Sequence, residues 1–164
     1  MTTAYDELAA LNWSKLKHMD TSPLHLRHYT EHAREDTPSL LLGRAVHCAV
    51  LEPDLYAERY AVCDVRRDAR TASYQEWQTA HAGREALRPD DGDLVAAMAR
   101  AVHGHREAAA LLADARREVV VEWLDPDTAT PCKARLDALH YERGVVELKT
   151  TARGIVPSAF ARES

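Results

Sequence analysis

Two carboxylates and a lysine near the end of the chain have types and spacing that suit phosphodiester chemistry. Asp137 is followed by Glu147 and Lys149, which stand on either side of Leu148. A hard cation such as Mg2+ needs oxygen ligands that hold it against a phosphate. Hydrolysis also needs a positioned water and positive charge to offset the charge of the transition state. The three residues therefore suit a magnesium-dependent phosphodiesterase.

β-Branched residues and turn residues predict the strands that carry this chemistry. The predicted strands cover residues 119–124, 133–140 and 145–150. Alternation puts Glu147 and Lys149 on one face of the last strand, and puts Asp137 on the same face as Arg135 and Lys133 in the strand before it.

The loop between these two strands decides whether the polar faces coincide. A three-residue loop that ends at Gly144 pairs Tyr141 with Val145 and sets Asp137 opposite Lys149 on a shared face. A two-residue loop pairs Tyr141 with Gly144 instead and separates the faces. The position of Gly144 favours the shared face. The alternative is a surface hairpin whose alternating charges form cross-strand ion pairs.

The preceding residues are predicted to be mainly helical. The most apolar helix covers residues 39–51, and its apolar positions nearly encircle it, so we expect it to be buried. Residues 31–38 and 66–71 are expected to be loops, the second one basic. The other expected elements are a helix within residues 8–19 that Asn12 or Ser14 caps, helices over residues 23–28 or beyond, 73–87 and 91–113, and a strand within 56–65. The fold class is α/β (α+β), a helical part followed by a three-strand meander.

Length and composition indicate one domain with an ordinary core. The chain has 164 residues, 46% of them hydrophobic and 29% charged, with a formal net charge of -5. We expect a single domain over 1–164, helical over 1–115, with the meander over 116–151 and the start of a further segment over 152–164. No apolar run approaches the roughly 18 residues of a membrane helix, and no signal peptide opens the chain. A cytoplasmic location without a membrane is therefore expected.

The cysteines and histidines argue against other metal chemistry. Cys48, Cys63 and Cys132 are widely spaced, which fits a reducing compartment and excludes a four-cysteine iron–sulfur cluster. The histidine clusters lack a cysteine or carboxylate at a zinc spacing; they are His103 with His105, and His25 with His28 and His32.

Several segments together carry a resemblance to a known family. They are NWSKLK at 12–17, GRAVH at 43–47 followed by LEP at 51–53, CKARLD at 132–137 and ELKTT at 147–151. In this order they resemble the RecE-type (exonuclease VIII) branch of the PD-(D/E)XK nucleases. Lambda-type exonuclease and the RecB nuclease domain are more distant relatives. The resemblance implies a restriction-endonuclease-like core with a central mixed sheet.

The resemblance also assigns roles to individual residues. Asp137 and Glu147 match the metal-binding carboxylates, and Lys149 matches the lysine that orients or activates the attacking water. His47 matches a helix-borne histidine that joins the metal site, which the backbone carbonyl of Leu148 completes.

Six other residues have less defined roles. Glu118 matches an acidic position and is either a second-metal or outer-shell ligand or a strand-end charge. Lys133 and Arg135 either contact DNA phosphate or brace the carboxylates. The basic loop adds Arg66, Arg67 and Arg70 as candidate DNA contacts.

The implied activity is a phage-type or recombination-linked DNA exonuclease. One or two Mg2+ ions, with Mn2+ as a substitute, assist the hydrolysis of phosphodiester bonds in linear duplex DNA in the 5'-to-3' direction. The implied partners are an annealing recombinase that takes the single strand and further copies of the chain in a ring around DNA.

The family is expected to continue past the Glu-x-Lys strand, with a Gln-x3-Tyr helix and further strands. No Gln-x3-Tyr motif is present here, and residues 157–160 only open that region. We therefore expect a fold truncated after the third core strand, with the far faces of Val146 and Leu148 exposed. The alternative to an exonuclease is a catalytically incomplete DNA-binding or oligomer-forming remnant of the nuclease fold.

Overall fold

A computed structural model of the chain describes residues 4–32 and 36–151. Over these ranges the helices are α1 (Ala4–Glu7), α2 (Trp13–Leu16), α3 (Pro23–Glu31), α4 (Pro38–Leu51), α5 (Pro53–Arg59), α6 (Ala72–Ala80), α7 (Pro89–Gly104) and α8 (Arg106–Leu112). The strands are β1 (Tyr60–Val62), β2 (Glu85–Leu87), β3 (Arg116–Leu124), β4 (Pro131–His140) and β5 (Gly144–Val146). This mixture of helices and small sheets confirms the predicted α/β class. The expectations for residues 152–164 lie outside the described residues.

Helix α4 forms the centre of the core. Thr37 caps its first turn, because the Thr37 hydroxyl accepts from the Leu40 amide at 3.3 Å. Pro38 occupies the first helical position, where its missing N–H removes no intrahelical bond. The helix packs against α7. Its buried residues are Ala45, Val46, Cys48, Val50 and Leu51. The prediction of a buried helix in this region is confirmed.

The helix predicted within residues 8–19 begins at one of its two predicted caps. Asn12 accepts from the Lys15 amide at 3.1 Å and begins α2, which passes into a 3-10 turn over Lys17–Asp20. Because Asn12 is an N-cap, its own backbone is extended. Leu11, just before it, forms a parallel bridge with Cys132 of β4. The prediction of an Asn12 cap is therefore confirmed, and the helix is shorter than the apolar spacing suggested.

The helix predicted over residues 91–113 is divided into α7 and α8. Helix α7 ends at Gly104, and His105 is extended with φ -83 and ψ 115. The His105 ring accepts from the Ala108 amide at 3.3 Å and so caps α8. Glycine is a poor helix former, which favours the break at this point.

A small parallel sheet was not predicted. Residues 53–59, partly assigned to a strand, form α5, because Pro53 begins a helix and the Glu52 carboxylate binds Arg59 at 2.6 Å. Only β1 remains extended, and it pairs in parallel with β2. Strand β2 lies in the second half of the helix predicted over 73–87, so that helix is too long in the prediction.

Strands β3, β4 and β5 form the predicted antiparallel meander with β4 in the middle. The isolated Leu11 bridge adds one parallel contact at the edge of this antiparallel sheet. Val146 and Leu148 pack against the core cluster of α4 and its neighbours. The expectation that their far faces are exposed is therefore wrong. None of the helices in the described ranges has the length and apolar content needed to cross a membrane.

The β4–β5 hairpin has a different register from the predicted one but keeps the predicted parity. His140 pairs with Gly144 and Ala138 pairs with Val146. The loop therefore consists of residues 141–143, and Gly144 follows it with φ +81. Continuing this register sets Asp137 level with Glu147 rather than Lys149. Strand β5 ends at Val146, the second residue of the strand that was predicted over residues 145–150.

Candidate functional site

Helix α4 and strand β4 bring together two of the predicted site residues. His47 Nδ1 lies 3.7 Å from Asp137 Oδ1, with side-chain exposures of 30% and 16%. The neighbour of Asp137, Ala138, is fully buried in the core that includes α4. Asp137 and His47 therefore lie beside that core. The two side chains meet at the edge of the core, where solvent still reaches them.

The backbone after β5 contacts the same carboxylate. The Leu148 amide donates to Asp137 Oδ2 at 2.7 Å. A charged acceptor at this distance makes a strong hydrogen bond. This bond explains why β5 ends early, since the amide turns towards a side chain instead of continuing the strand ladder. The Leu148 carbonyl stays a predicted ligand.

Glu147 and Lys149 face each other rather than Asp137. The Lys149 ammonium binds Glu147 Oε1, and the two side chains are 59% and 54% exposed. The two side chains lie on the same side of the extended segment, as the alternation predicted. The described geometry thus brings Asp137, His47 and the Leu148 backbone together, whereas the Glu147 side chain pairs with Lys149.

Glu118 lies on β3 opposite Asp137. Arg117 pairs with Ala138 and Val119 pairs with Leu136, which leaves Glu118 and Asp137 between the two pairs. Glu118 has a φ of +51, an uncommon backbone conformation for a side chain with a Cβ. Arg135 Nε lies 2.9 Å from Glu118 Oε2. The structure therefore places Glu118 beside the site.

The surroundings of Glu118 are acidic and poorly hydrated. Burial raises the pKa of Glu118, the charge of Arg135 partly lowers it, and the carboxylates of Glu52 and Asp137 raise it further. Glu52 has no role among the residues predicted from the sequence, although it belongs to the Leu-Glu-Pro segment that directly follows the buried helix.

Lys133 is occupied by the N-terminal segment. It is 2% exposed, and its ammonium donates to the carbonyls of Tyr5 at 2.5 Å and Leu8 at 2.9 Å. Burial lowers the pKa of Lys133. A phosphate cannot reach a side chain this enclosed, so we exclude Lys133 from the candidate DNA contacts. Arg135, on the same face of β4, is 42% exposed.

The three arginines of the basic loop lie between β1 and α6. Arg70 pairs with Asp68 at 3.0 Å, Arg67 donates to the Ala86 carbonyl at 2.9 Å, and Arg66 is exposed. The partners of Arg67 and Arg70 belong to their own loop and to β2. Contact with DNA stays a prediction for all three.

The donor types match a hard divalent cation, but their positions match only in part. Over residues 4–32 and 36–151, no group of three or more His, Cys, Asp or Glu side chains is arranged to hold a metal ion. His47 and Asp137 are close, whereas Glu147 is paired with Lys149. The histidines of α3 also do not form such a group: His28 and His32 stack at 4.0 Å, and the His32 ring contacts the His28 carbonyl.

A central α4 packed beside the meander, with His47 and Asp137 meeting between them, is consistent with a PD-(D/E)XK-like domain. The family described as a PDDEXK-like domain of unknown function (DUF3799) matches residues 12–164, and the chain belongs to that family. No protein in a search of curated proteins matches the chain. The predicted superfamily is thereby confirmed, and with it a nuclease-type fold. The RecE-type branch stays a prediction.

Proposed function

We propose that the chain is a divalent-metal-dependent nuclease that hydrolyses phosphodiester bonds of linear duplex DNA. The observation that carries this proposal is the contact set of Asp137, which lies 3.7 Å from His47 and 2.7 Å from the Leu148 amide. A carboxylate that accepts a hydrogen bond from the backbone of an adjoining Glu-x-Lys segment and lies near an imidazole on a helix is suited to metal binding. Membership in a PDDEXK-like family supports the same proposed function.

Asp137, His47 and Glu147 would hold Mg2+ or Mn2+, with the Leu148 carbonyl beside them and Glu118 as an outer ligand. The ion would polarise the scissile phosphate and lower the pKa of a bound water. Glu147 is more than half exposed and held by an exposed lysine. A surface pair of this kind contributes at most about 1 kcal/mol, so rotation of Glu147 towards Asp137 costs little.

The side chains of the chain itself would orient the substrate and stabilise charge. Once Glu147 turns away, the Lys149 ammonium becomes available to orient the attacking water and to offset negative charge on the phosphate. Arg135 carries a planar array of five N–H donors, which suits a phosphate. His47 and the Leu148 amide would keep the Asp137 carboxylate in one orientation.

A nuclease assay with matched lysine variants tests the proposal. Purified chain is incubated with linear duplex DNA in Mg2+ or in EDTA, and Lys149→Ala is compared with Lys17→Ala, which removes an exposed lysine outside the site. We expect metal-dependent loss of DNA that falls at least about 100-fold in Lys149→Ala, as when a group that stabilises the transition state is removed. The Lys17→Ala variant should match the wild type.

Two outcomes would contradict the proposal. A folded wild type that shows no metal-dependent loss of DNA is not a nuclease on this substrate. Equal activity in Lys149→Ala would exclude the assigned role of that lysine. Duplexes labelled at the 5' or the 3' end then test the proposed 5'-to-3' exonuclease direction, because each direction releases a different labelled nucleotide first.

A second candidate function is a DNA-binding or oligomer-forming protein without cleavage. It is favoured by the Glu147–Lys149 pair and by the lack of a three-ligand group in the described ranges. Metal-independent binding of DNA without hydrolysis would support it. The proposed ring and the annealing recombinase are separate proposals: light scattering gives the mass of the assembly, and co-purification tests the partner.

A further inference from the structure

The N-terminal segment, residues 4–11, lies against the strand that carries Asp137. The Leu11 amide donates to the Pro131 carbonyl at 2.9 Å, and the Lys133 amide donates to the Leu11 carbonyl at 2.8 Å. These bonds occupy the first residues of β4, whereas β5 pairs only with its last three. The N-terminal segment and β5 therefore pair with the same edge of β4. Asp137 lies between the two paired stretches along the strand.

Tyr5 is fixed on this surface by three contacts. Its carbonyl accepts from the Lys133 ammonium at 2.5 Å, and the same ammonium lies 4.4 Å from the centre of the Tyr5 ring. The Asn12 side-chain amide donates to the Tyr5 hydroxyl at 3.2 Å. Because Lys133 is buried, its interaction with the ring is not weakened by water. The ring consequently has a defined position.

The same ring also contacts Arg135. The Arg135 guanidinium lies 5.2 Å from the centre of the Tyr5 ring, and its Nε binds Glu118 at 2.9 Å. Arg135 and Asp137 are two residues apart on β4 and share a face. An aromatic face and a carboxylate thus hold Arg135 beside the candidate site, and its side chain remains 42% exposed.

We propose that residues 4–11 belong to the DNA-binding site and that Tyr5 is a positioning residue that holds Arg135 ready for a phosphate of the substrate. This inference rests on the proposed function. It extends beyond the family match, which begins at residue 12. An arginine that nothing restrains loses side-chain conformational entropy when it binds a phosphate. Tyr5 would reduce this cost by ordering the guanidinium before DNA arrives.

The test compares Tyr5→Leu, which removes the aromatic face, with Tyr5→Phe, which removes only the hydroxyl. The kinetic constants are measured on duplex DNA in Mg2+. Binding is measured by fluorescence anisotropy in EDTA at several salt concentrations. For Tyr5→Leu we expect KM to rise about three- to tenfold with kcat within about twofold, as for loss of one cation–π contact. The salt dependence of binding should weaken by about one phosphate contact. Tyr5→Phe keeps the aromatic face and loses only the Asn12 contact, so it should recover most of the rise in KM seen in Tyr5→Leu.

A double variant separates positioning from a merely structural role. If Tyr5 acts through Arg135, adding Tyr5→Leu to Arg135→Ala should raise KM no further. If Tyr5→Leu does not fold, Tyr5→Met takes its place, because methionine fills a similar space without an aromatic face. A folded Tyr5→Leu or Tyr5→Met variant that keeps the wild-type KM and salt dependence overturns this inference alone. A folded wild type that neither binds nor cleaves DNA overturns the proposed function with it.

Discussion

Asp137 and Glu147 differ in how firmly the chain holds them. Asp137 is 16% exposed and contacted on both oxygens, by His47 and by the Leu148 amide. Glu147 is 54% exposed and contacted by one lysine. Rigid ligands set the geometry of a site, whereas a mobile ligand allows entry and release. We infer that Asp137 fixes the position of the site and that Glu147 completes it when a cation binds.

Replacing Lys133 by methionine should destabilise the protein. Methionine fills the space of the lysine stem, but it cannot donate to the Tyr5 and Leu8 carbonyls. Each carbonyl keeps a backbone amide, from Leu8 or Ala10, and loses only its hydrogen bond to the ammonium. A hydrogen bond to a charged group contributes about 1.5–3 kcal/mol, so the free energy of unfolding should fall by about that amount. Urea denaturation followed by circular dichroism measures this change.

The matched variant is Lys17→Met, which alters an exposed lysine. Its free energy of unfolding should stay within about 0.5 kcal/mol of the wild type, as for most surface substitutions. Unchanged stability in Lys133→Met would mean that the N-terminal segment does not rely on the ammonium.

At the scale of elements, Gly92 marks the contact between β1 and the first turns of α7. A Cβ built on Gly92 would lie 2.6 Å from Val62 Cγ2, which is closer than the two atoms can approach. Gly92→Ala should therefore lower the free energy of unfolding by about 1–2 kcal/mol through overpacking. In the Val62→Ala background the sign should reverse, because alanine favours a helix over glycine by about 1 kcal/mol. Urea denaturation of the four proteins gives both values.

Gly104, at the other end of α7, provides the control. A Cβ there would meet no heavy atom within 4 Å. Gly104→Ala should accordingly leave stability equal or slightly higher. If Gly92→Ala is as stable as the wild type while Val62 is present, the side chain of Val62 moves aside and the two elements are not tightly packed.

The elements that the sequence predicted well are those with a strong local signal. The apolar positions of α4 strongly favour a buried helix, and the β-branched residues of β3 strongly favour a strand. The short β1 and β2 lack such a signal, because each is extended only where it pairs with the other, 25 residues apart along the chain. Helix α5 was missed because alternation over a few residues does not separate a strand from a helix that begins at a proline.

At the scale of the whole molecule, single side chains connect parts that are distant in the sequence. Arg117 of β3 donates to the Leu51 carbonyl at the end of α4 at 3.0 Å and to the Leu112 carbonyl at the end of α8 at 3.5 Å. A cation at helix C-termini is stabilising, and here it joins two helices to the sheet. The meander and the helical part are thereby held in one arrangement around α4.

The candidate site illustrates what sequence patterns can and cannot supply. Alternation and Gly144 correctly placed Asp137 and the Glu-x-Lys segment on one side, since both depend on local geometry. The loop has the predicted length of three residues but lies one residue earlier in the chain, which shifts the register by two residues. The His140 ring favours this position because it accepts from the Glu142 and Arg143 amides inside the turn. The contact of Tyr5 with Lys133 joins residues 128 positions apart and has no local signal.

The whole molecule should lose stability in alkaline solution through Tyr60. Burial raises the pKa of Tyr60 to about 12, whereas in the unfolded chain it is about 10. Between these values the unfolded state releases the proton and the folded state keeps it, so the free energy of unfolding falls as pH rises. The slope from Tyr60 approaches about 1.4 kcal/mol per pH unit between pH 10 and 12. Urea denaturation at several pH values should show a smaller slope in Tyr60→Phe, and an equal slope would exclude Tyr60 as the cause.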